Sequence, residues 1–477
     1  MLKKLLPLCL AAALLAGCGA SAQKPAEPSD AAAPPAAVTQ ATAEQAAPGF
    51  TVGTLHPLGM TSLGEGDAIN KDAYYEIAEQ ASLGGLILKT DYATGVQSSV
   101  CKRPGCTHDN AGCPAYLAST IRTSVAAVAG RVCVLYSGRD KDMAQKQAVQ
   151  APLPTQDPTL TPEEQAAADA QAALDAQPSF IEVVSADGTA RTRLMEMPGK
   201  PLSYGWCDEN AIYAVRSEAL GSEHTELLRI ALDGGGCSTV PLPLGATVAG
   251  VTGNRFLLNR IVSDQNLETL LQTGDQTAYQ AALQNASSEY ELWDMATGAA
   301  EKVYARGAAD RYSLAGTYDG KLYFSESTAD AQGEQTQSWL TEVNAADGSV
   351  RTLTEELPEK NMWPVRLLEL GLPGDGDAPR GFLWMEATAA YTPDSNDYLI
   401  DLRDGSATRI TQRAPFEDYY ATAYPVAQTN DGRWMISAGG VTSAHNARSR
   451  YGLIDPADYL AGGTDYRMVS MYGEDAG

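Results

Sequence analysis

A chain of 477 residues with 34 Lys and Arg against 59 Asp and Glu carries a formal net charge of −25. A surface of that sign repels nucleic acid and anionic lipid headgroups, which excludes nucleic-acid binding as a leading function. With 44% apolar residues and roughly 430 residues beyond the N-terminal region, the chain can build one large repeat domain.

In chain order, Lys3 and Lys4 precede an apolar run, 5–16, that is too short to span a bilayer. Residues 1–17 are therefore expected to be a secretory signal. The run ends in Leu15-Ala16-Gly17-Cys18, which resembles the lipobox of bacterial lipoproteins. That resemblance implies that Cys18 is acylated, becomes the mature N-terminus and holds the protein on the extracytoplasmic face of the cell membrane, with more than one acyl chain for a stable anchor. Residues 18–49 are rich in Ala and Pro and lack aromatic side chains. They offer too little apolar surface to offset chain-ordering entropy and are expected to form a disordered linker. The folded domain is expected over 50–477.

From there the sequence repeats itself. One unit is an apolar strand, a Gly-bearing turn and a second strand richer in Thr, Arg and Val. It runs as LILKTDYATGVQSSV at Gly95, FIEVVSADGTARTRLMEM at Gly188, LLRIALDGGGCSTVPL at Gly235 and ELWDMATGAAEKVYA at Gly298. It returns as LTEVNAADGSVRTLTEE at Gly348, YLIDLRDGSATRITQ at Gly405 and YGLIDPADYLAGGTDYRMVSM at Gly463. Asp-Gly and Thr-Gly between alternating runs signal hairpins. Between copies lies a turn residue and a short apolar strand, as in AGRVCVLYS, GNRFLLNRI and DGKLYFSE, with DAYYEIAEQ as a weaker first instance. Two hairpins per unit, repeated about every 50 residues, predict an all-β chain: a β-propeller of about seven four-stranded blades.

Two insertions, about 139–179 and 264–288, interrupt the repeat. In the first, Thr161, Pro162 and Glu164 form a capping box that predicts an exposed helix over 162–176. The second predicts two short helices broken at Gly274, with Leu267, Leu270 and Leu271 as a stripe docking on the propeller.

After the first copy comes CKRPGCTHDNAGC, residues 101–113. Three thiolates and one imidazole from Cys101, Cys106, His108 and Cys113 suit a tetrahedral zinc site. Outside the membrane a disulfide among the three cysteines, with Cys133 as a further partner, is the competing expectation; reduced structural thiols are a third. Cys207 and Cys237, flanking the third unit, are expected either to pair with each other or to act as small buried apolar groups. The string CKRPGCTHDNAGCPAY resembles a loop of uncharacterised exported lipoproteins from Clostridia-type bacteria, matching at Cys101, Pro104, Cys106, His108, Cys113 and Ala115. That resemblance implies a lipid anchor and a propeller-like domain, and supplies no activity.

Catalytic signatures are sparse. No Gly-x-Ser-x-Gly elbow is present, Asp375 and Asp377 lack the further oxygen ligands of a calcium loop, and His56, His224 and His445 are scattered among turn residues. The leading expectation is a membrane-anchored binding module for a protein or glycan partner. The alternative is a cell-wall or polysaccharide-active enzyme with its site at the propeller mouth. Converging carboxylates there would mark the enzyme, whereas an uncharged or loop-covered channel would mark the binder.

Overall fold

A computed structural model describes residues 50–473 apart from 63–64, 67, 70–71, 80–83, 139–160, 162–176, 198–200, 218–223, 333–334, 373–379, 388–395, 417–418 and 442–447. The signal, the linker, Cys18, most of the first insertion with its helix, Asp375, Asp377 and His445 lie outside the described residues.

Among the described residues the strands form seven sheets, each built around four consecutive antiparallel strands. In blade 4 these are Ala246–Thr252, Arg255–Val262, Ser287–Trp293 and Ala300–Gly307. First strands of neighbouring blades approach one another, so they line the axis while the fourth strands form the rim. The protein is a seven-bladed β-propeller, as the repeat predicts. The Gly-bearing unit of the sequence is the third strand, turn and rim strand of each blade, and the short apolar run is the second strand.

Seven apolar clusters close the ring, one at each blade–blade interface. The two-residue period of a strand divides its side chains between two clusters. Phe256 and Leu258 of blade 4 face blade 3, whereas Leu257 between them faces blade 5. This is why the second strands read as unbroken apolar runs: both faces are buried.

The turns follow a shared rule. Asp91, Asp294, Asn344 and Asp401 end third strands, and each carbonyl accepts the N–H of a glycine four residues on (Gly95, Gly298, Gly348 and Gly405) at 2.8 Å. The glycine has two jobs, as Gly405 shows. Its φ is +76°, and a Cβ there would drive into the Leu353 carbonyl and lie 2.9 Å from Thr354 Cγ2 on the rim strand of the preceding blade. Replacing Gly405 with alanine is expected to lower unfolding free energy by about 1–3 kcal/mol through backbone strain and a displaced blade contact. Urea denaturation checks this, and an unchanged midpoint would show that the blades yield freely.

In blades 3 to 7 the first strand carries a bulge against the second, at Tyr204/Trp206, Val248/Gly250, Leu314/Gly316, Pro364/Arg366 and Pro425/Ala427. The repeated bulge bends and twists the strand nearest the axis.

The second insertion forms helix α1 (Leu267–Thr273) and helix α2 (Gln276–Gln284), capped by Asn266 and Asp275 and separated by Gly274 at φ +73°. The break falls where the sequence placed it. The docking stripe does not hold as predicted: Leu271 is 55% exposed. The buried side chains are Ala282 and Leu283 on α2 instead, because the second helix, leading directly into the strand Ser287–Trp293, is the one held against the blade. Among the described residues, no helix is long and apolar enough to cross a membrane.

Candidate metal centre

The cysteine loop does not follow the rim strand of blade 1; it splits it. Val96–Ser99 and Tyr116–Leu117 both pair with the third strand, Gly85–Asp91. The split falls at Ile87, whose carbonyl accepts from Val100 N at 3.1 Å and whose N–H donates to Ala115 O at 2.9 Å. The two ends of the loop are therefore pinned side by side. Ala115 must be small because it is wholly buried beneath the loop.

Inside the loop, Cys106 N donates to Arg103 O at 3.3 Å, Cys113 N to Asn110 O at 2.9 Å and Gly112 N to Asn110 Oδ1 at 3.0 Å. Gly105 and His108 take positive φ values of +70° and +62°. For histidine that conformation costs on the order of 1 kcal/mol, and it turns the imidazole inward. The donor atoms of Cys101, Cys106, His108 and Cys113 all lie within 4.8 Å of one another, and His108 Nδ1 is 3.3 Å from Cys113 Sγ. Cys101 and Cys113 are buried; Cys106 and His108 are partly covered. This is a four-donor cluster that could hold a metal ion. Among the described residues it is the single group of three or more Cys, His, Asp or Glu side chains whose donors converge.

The thiols are unequal. A backbone hydrogen bond from His108 holds Cys106 below its ordinary value, helped by the neighbouring thiols and Arg103. Burial pushes Cys113 up to about 11, and the adjacent Cys106 and Cys101 add to the rise. A bound cation reverses that balance, because it favours thiolate over thiol at every sulfur it touches.

The surroundings fasten the loop to two other parts of the ring. Lys102 N donates to Gly188 O at 2.9 Å, and Arg103 Nε donates to Thr189 O, on the turn of blade 2. Arg191 of blade 2 donates to Tyr116 O at 2.6 Å. On the other side the ring of Tyr472, near the C-terminus, meets His108 edge-on at 6.4 Å between centroids.

Two of the other cysteine pairings need correction on geometry. No two cysteines are joined among the described residues. Cys207 pairs in register with Ile212, Ile212 with Ile230, and Ile230 with Cys237. The two cysteines thus sit on the first and fourth strands of blade 3, about 14 Å apart at three strand spacings, beyond the reach of a disulfide. Cys133 is also out of reach of the loop. It is buried in the interface of blades 2 and 3, while its neighbour Val134 faces blade 1 and the loop. Adjacent strand residues point to opposite faces.

Near the axis the chain covers itself. Leu55 N donates to Gly253 O at 2.7 Å in blade 4 and Leu58 N to Gly205 O at 2.8 Å in blade 3. His56–Pro57 pairs with the first strand of blade 3, Met60–Ser62 with that of blade 2, and Ala68–Ile69 supplies the first strand of blade 1. Asp208, buried here, accepts from Gly53 N at 2.9 Å and Tyr213 Oη at 2.7 Å, so its carboxylate serves the fold. His56 and His224 are exposed and lie outside the metal cluster.

No protein-family model and no curated protein matches the sequence. Solved structures resemble it in fold alone. One is the β-propeller domain of the Trilobed protease from Pyrococcus furiosus, at 8% identity over 86% of this chain and 98% of that one, with a TM-score of 0.43. Another is an oligogalacturonate lyase in complex with manganese, at 12% identity over 89% and 88%, with a TM-score of 0.37. A third is the Pyrococcus horikoshii acylaminoacyl peptidase, at 11% identity over 88% of this chain and 52% of the peptidase, with a TM-score of 0.44. At such identities nothing of their activities transfers.

Proposed function

We propose that the protein is a lipoprotein, anchored through Cys18 on the extracytoplasmic face of a bacterial membrane, whose propeller binds a protein or glycan partner. One observation carries this reading: the two ends of the propeller differ. Phe50, where the linker meets the domain, lies over Arg229 at 5.2 Å, beside the turn residues Asn210 and Asp233 in a shallow cleft. That end carries the tight glycine turns. The connections between second and third strands leave from the opposite end, and both insertions belong to them. Ile121, Leu244, Ile261, Leu271, Tyr419 and Tyr420 are exposed at that opposite end, Tyr420 by 68%. A flexible 32-residue linker has a root-mean-square reach of roughly 30 Å, so a tether entering at Phe50 holds the tight-turn end near the bilayer. The other end is left to the surroundings, as a recognition surface requires. The pairing of His56–Pro57 and Met60–Ser62 with the first strands of blades 3 and 2 supports binding over catalysis at the axis. We read the Cys/His cluster as part of the scaffold, with zinc as its ion, since three thiolates and an imidazole suit zinc.

The test uses the full chain in detergent, in a pull-down from surface extracts and on a glycan array. Binding should weaken at least fivefold in Tyr420→Ala and Leu271→Asp and stay unchanged in Val350→Ala at the tight-turn end. Equal loss in all three, or turnover of a glycan, would replace this reading. Radiolabelled palmitate should enter the chain and fail to enter Cys18→Ser.

A further inference from the structure

We propose that one Zn²⁺ held by Cys101, Cys106, His108 and Cys113 is the clasp that closes the propeller ring; this rests on the zinc reading of the cluster. In a ring of blades one interface joins the two ends of the chain, and no covalent link spans it. Here blade 7 ends in Arg467–Met468, and the tail then crosses to blade 1. Ser470 makes a parallel bridge to Val96: Gln97 N donates to Ser470 O at 2.8 Å and Ser470 N to Gly95 O at 2.9 Å. Tyr472 N donates to Gln97 Oε1 at 3.2 Å, and Arg448 of blade 7 donates to Tyr472 O at 2.6 Å and Gln97 Oε1 at 2.9 Å. At Tyr472 the tail meets the metal cluster, with the ring against His108, while Lys102 and Arg103 hold the same loop to blade 2. First, second and last blades therefore converge on one thirteen-residue loop.

The donor set fits the ion. Tetrahedral zinc with Zn–S near 2.3 Å and Zn–N near 2.0 Å places its donors roughly 3.5–3.8 Å apart. A cluster already within 4.8 Å needs to contract by about 1 Å at most. The positive φ of His108 is the strain such a bond would hold in place. Binding converts three thiols to thiolates and releases their protons to solvent, with no redox partner required. With zinc in place the imidazole is fixed and gives Tyr472 a rigid wall; without it the loop relaxes and the tail loses its seat.

The experiment is elemental analysis, thiol titration and amide hydrogen exchange on the full chain in detergent, purified without added reductant, before and after removal of zinc by a chelator. About one zinc per chain is expected, falling below 0.2 in Cys113→Ser. Chelation should speed exchange at the amides of Gln97 and Ser470 at least tenfold and leave Leu399, in the interface of blades 6 and 7, unchanged. In Tyr472→Ala zinc should still bind, and the chelator-induced increase at Gln97 should shrink to threefold or less. A zinc-free protein, an iron-loaded one, or a thiol titration showing two of the three loop sulfurs oxidised overturns the zinc reading itself. Zinc bound at one per chain with no change at Gln97 and Ser470 overturns the clasp alone.

Discussion

Replacing Trp434 with alanine is expected to destabilise the domain by about 3–5 kcal/mol, the range for removing a buried aromatic side chain. Trp434 opens the second strand of blade 7 and is fully buried. Its ring meets Phe382 of blade 6 at 5.7 Å and Tyr459 at 5.6 Å, and its indole N–H donates to Gly371 O at 3.0 Å. Alanine would leave a cavity between two blades and a Gly371 carbonyl with only the long 3.4 Å bond from Gln428 Nε2, and the loss falls on an interface the ring needs in order to close. Trp363, 41% exposed, is the control: its alanine variant should stay within about 0.5 kcal/mol of the parent. Urea denaturation followed by far-ultraviolet circular dichroism measures both. Equal small effects would mean that the interface of blades 6 and 7 is not tightly packed.

The second large effect concerns Glu76, in the interface that joins blades 7 and 1. Its carboxyl is buried and accepts from Tyr451 Oη and Gln97 Nε2. Burial pushes its pKa above the ordinary value of 4.5; the hydrogen bonds from Tyr451 and Gln97 and the charge of Arg448 pull the other way without cancelling the rise. An acid whose folded-state value is raised contributes stability that is fully present below its unfolded-state value and is lost as the pH climbs through the folded-state value. Glu76→Gln keeps the shape and removes the titration. Its stability relative to the parent should therefore improve as the pH is raised from 5 towards 8 and level off once the folded carboxyl is charged, a difference in which all other carboxylates cancel. Glu76→Ala should cost about 2–4 kcal/mol at pH 5, since two buried donors lose their acceptor. A flat difference between Glu76→Gln and parent across that range would show that the carboxylate is already charged at pH 5. Denaturation midpoints at four pH values decide it.

The blade pattern was legible because each blade solves the same local problem. In blades 1, 4, 5 and 6 an Asx residue closes the third strand and a glycine four residues later takes positive φ, and the strands on either side alternate or run apolar according to how many faces they bury. Those are short-range requirements, and DYATG, DMATG and DLRDG state them openly. The innermost strands were far less legible. Ser203–Cys207 and Tyr312–Tyr318 carry mixed side chains and a bulge, because they line the axis in place of packing between two greasy blades, and Ser203–Cys207 also pairs with the chain's own N-terminal segment. In the third and seventh copies the turn glycines with positive φ are Gly234, Gly236 and Gly462, not Gly235 and Gly463, since neighbouring glycines leave the local pattern degenerate.

The cysteine loop shows the same division. Its spacing announced three sulfurs and an imidazole in reach of one another, and the small Ala115 beside them. It could not announce that both feet meet at Ile87, that Cys133 faces the other way, or that Cys207 and Cys237 lie three strands apart. Pairing between strands is decided by register, and register is set by partners distant in sequence.

What the sequence determined by itself is the repeating unit, its turns and the donor types of the loop, because backbone conformation and side-chain chemistry depend on residues a few positions apart. Which side chains share an interface, where the ring closes and what covers its axis depend on partners far apart along the chain. Residues 76 and 451, or 108 and 472, become neighbours only when the last blade comes round to meet the first.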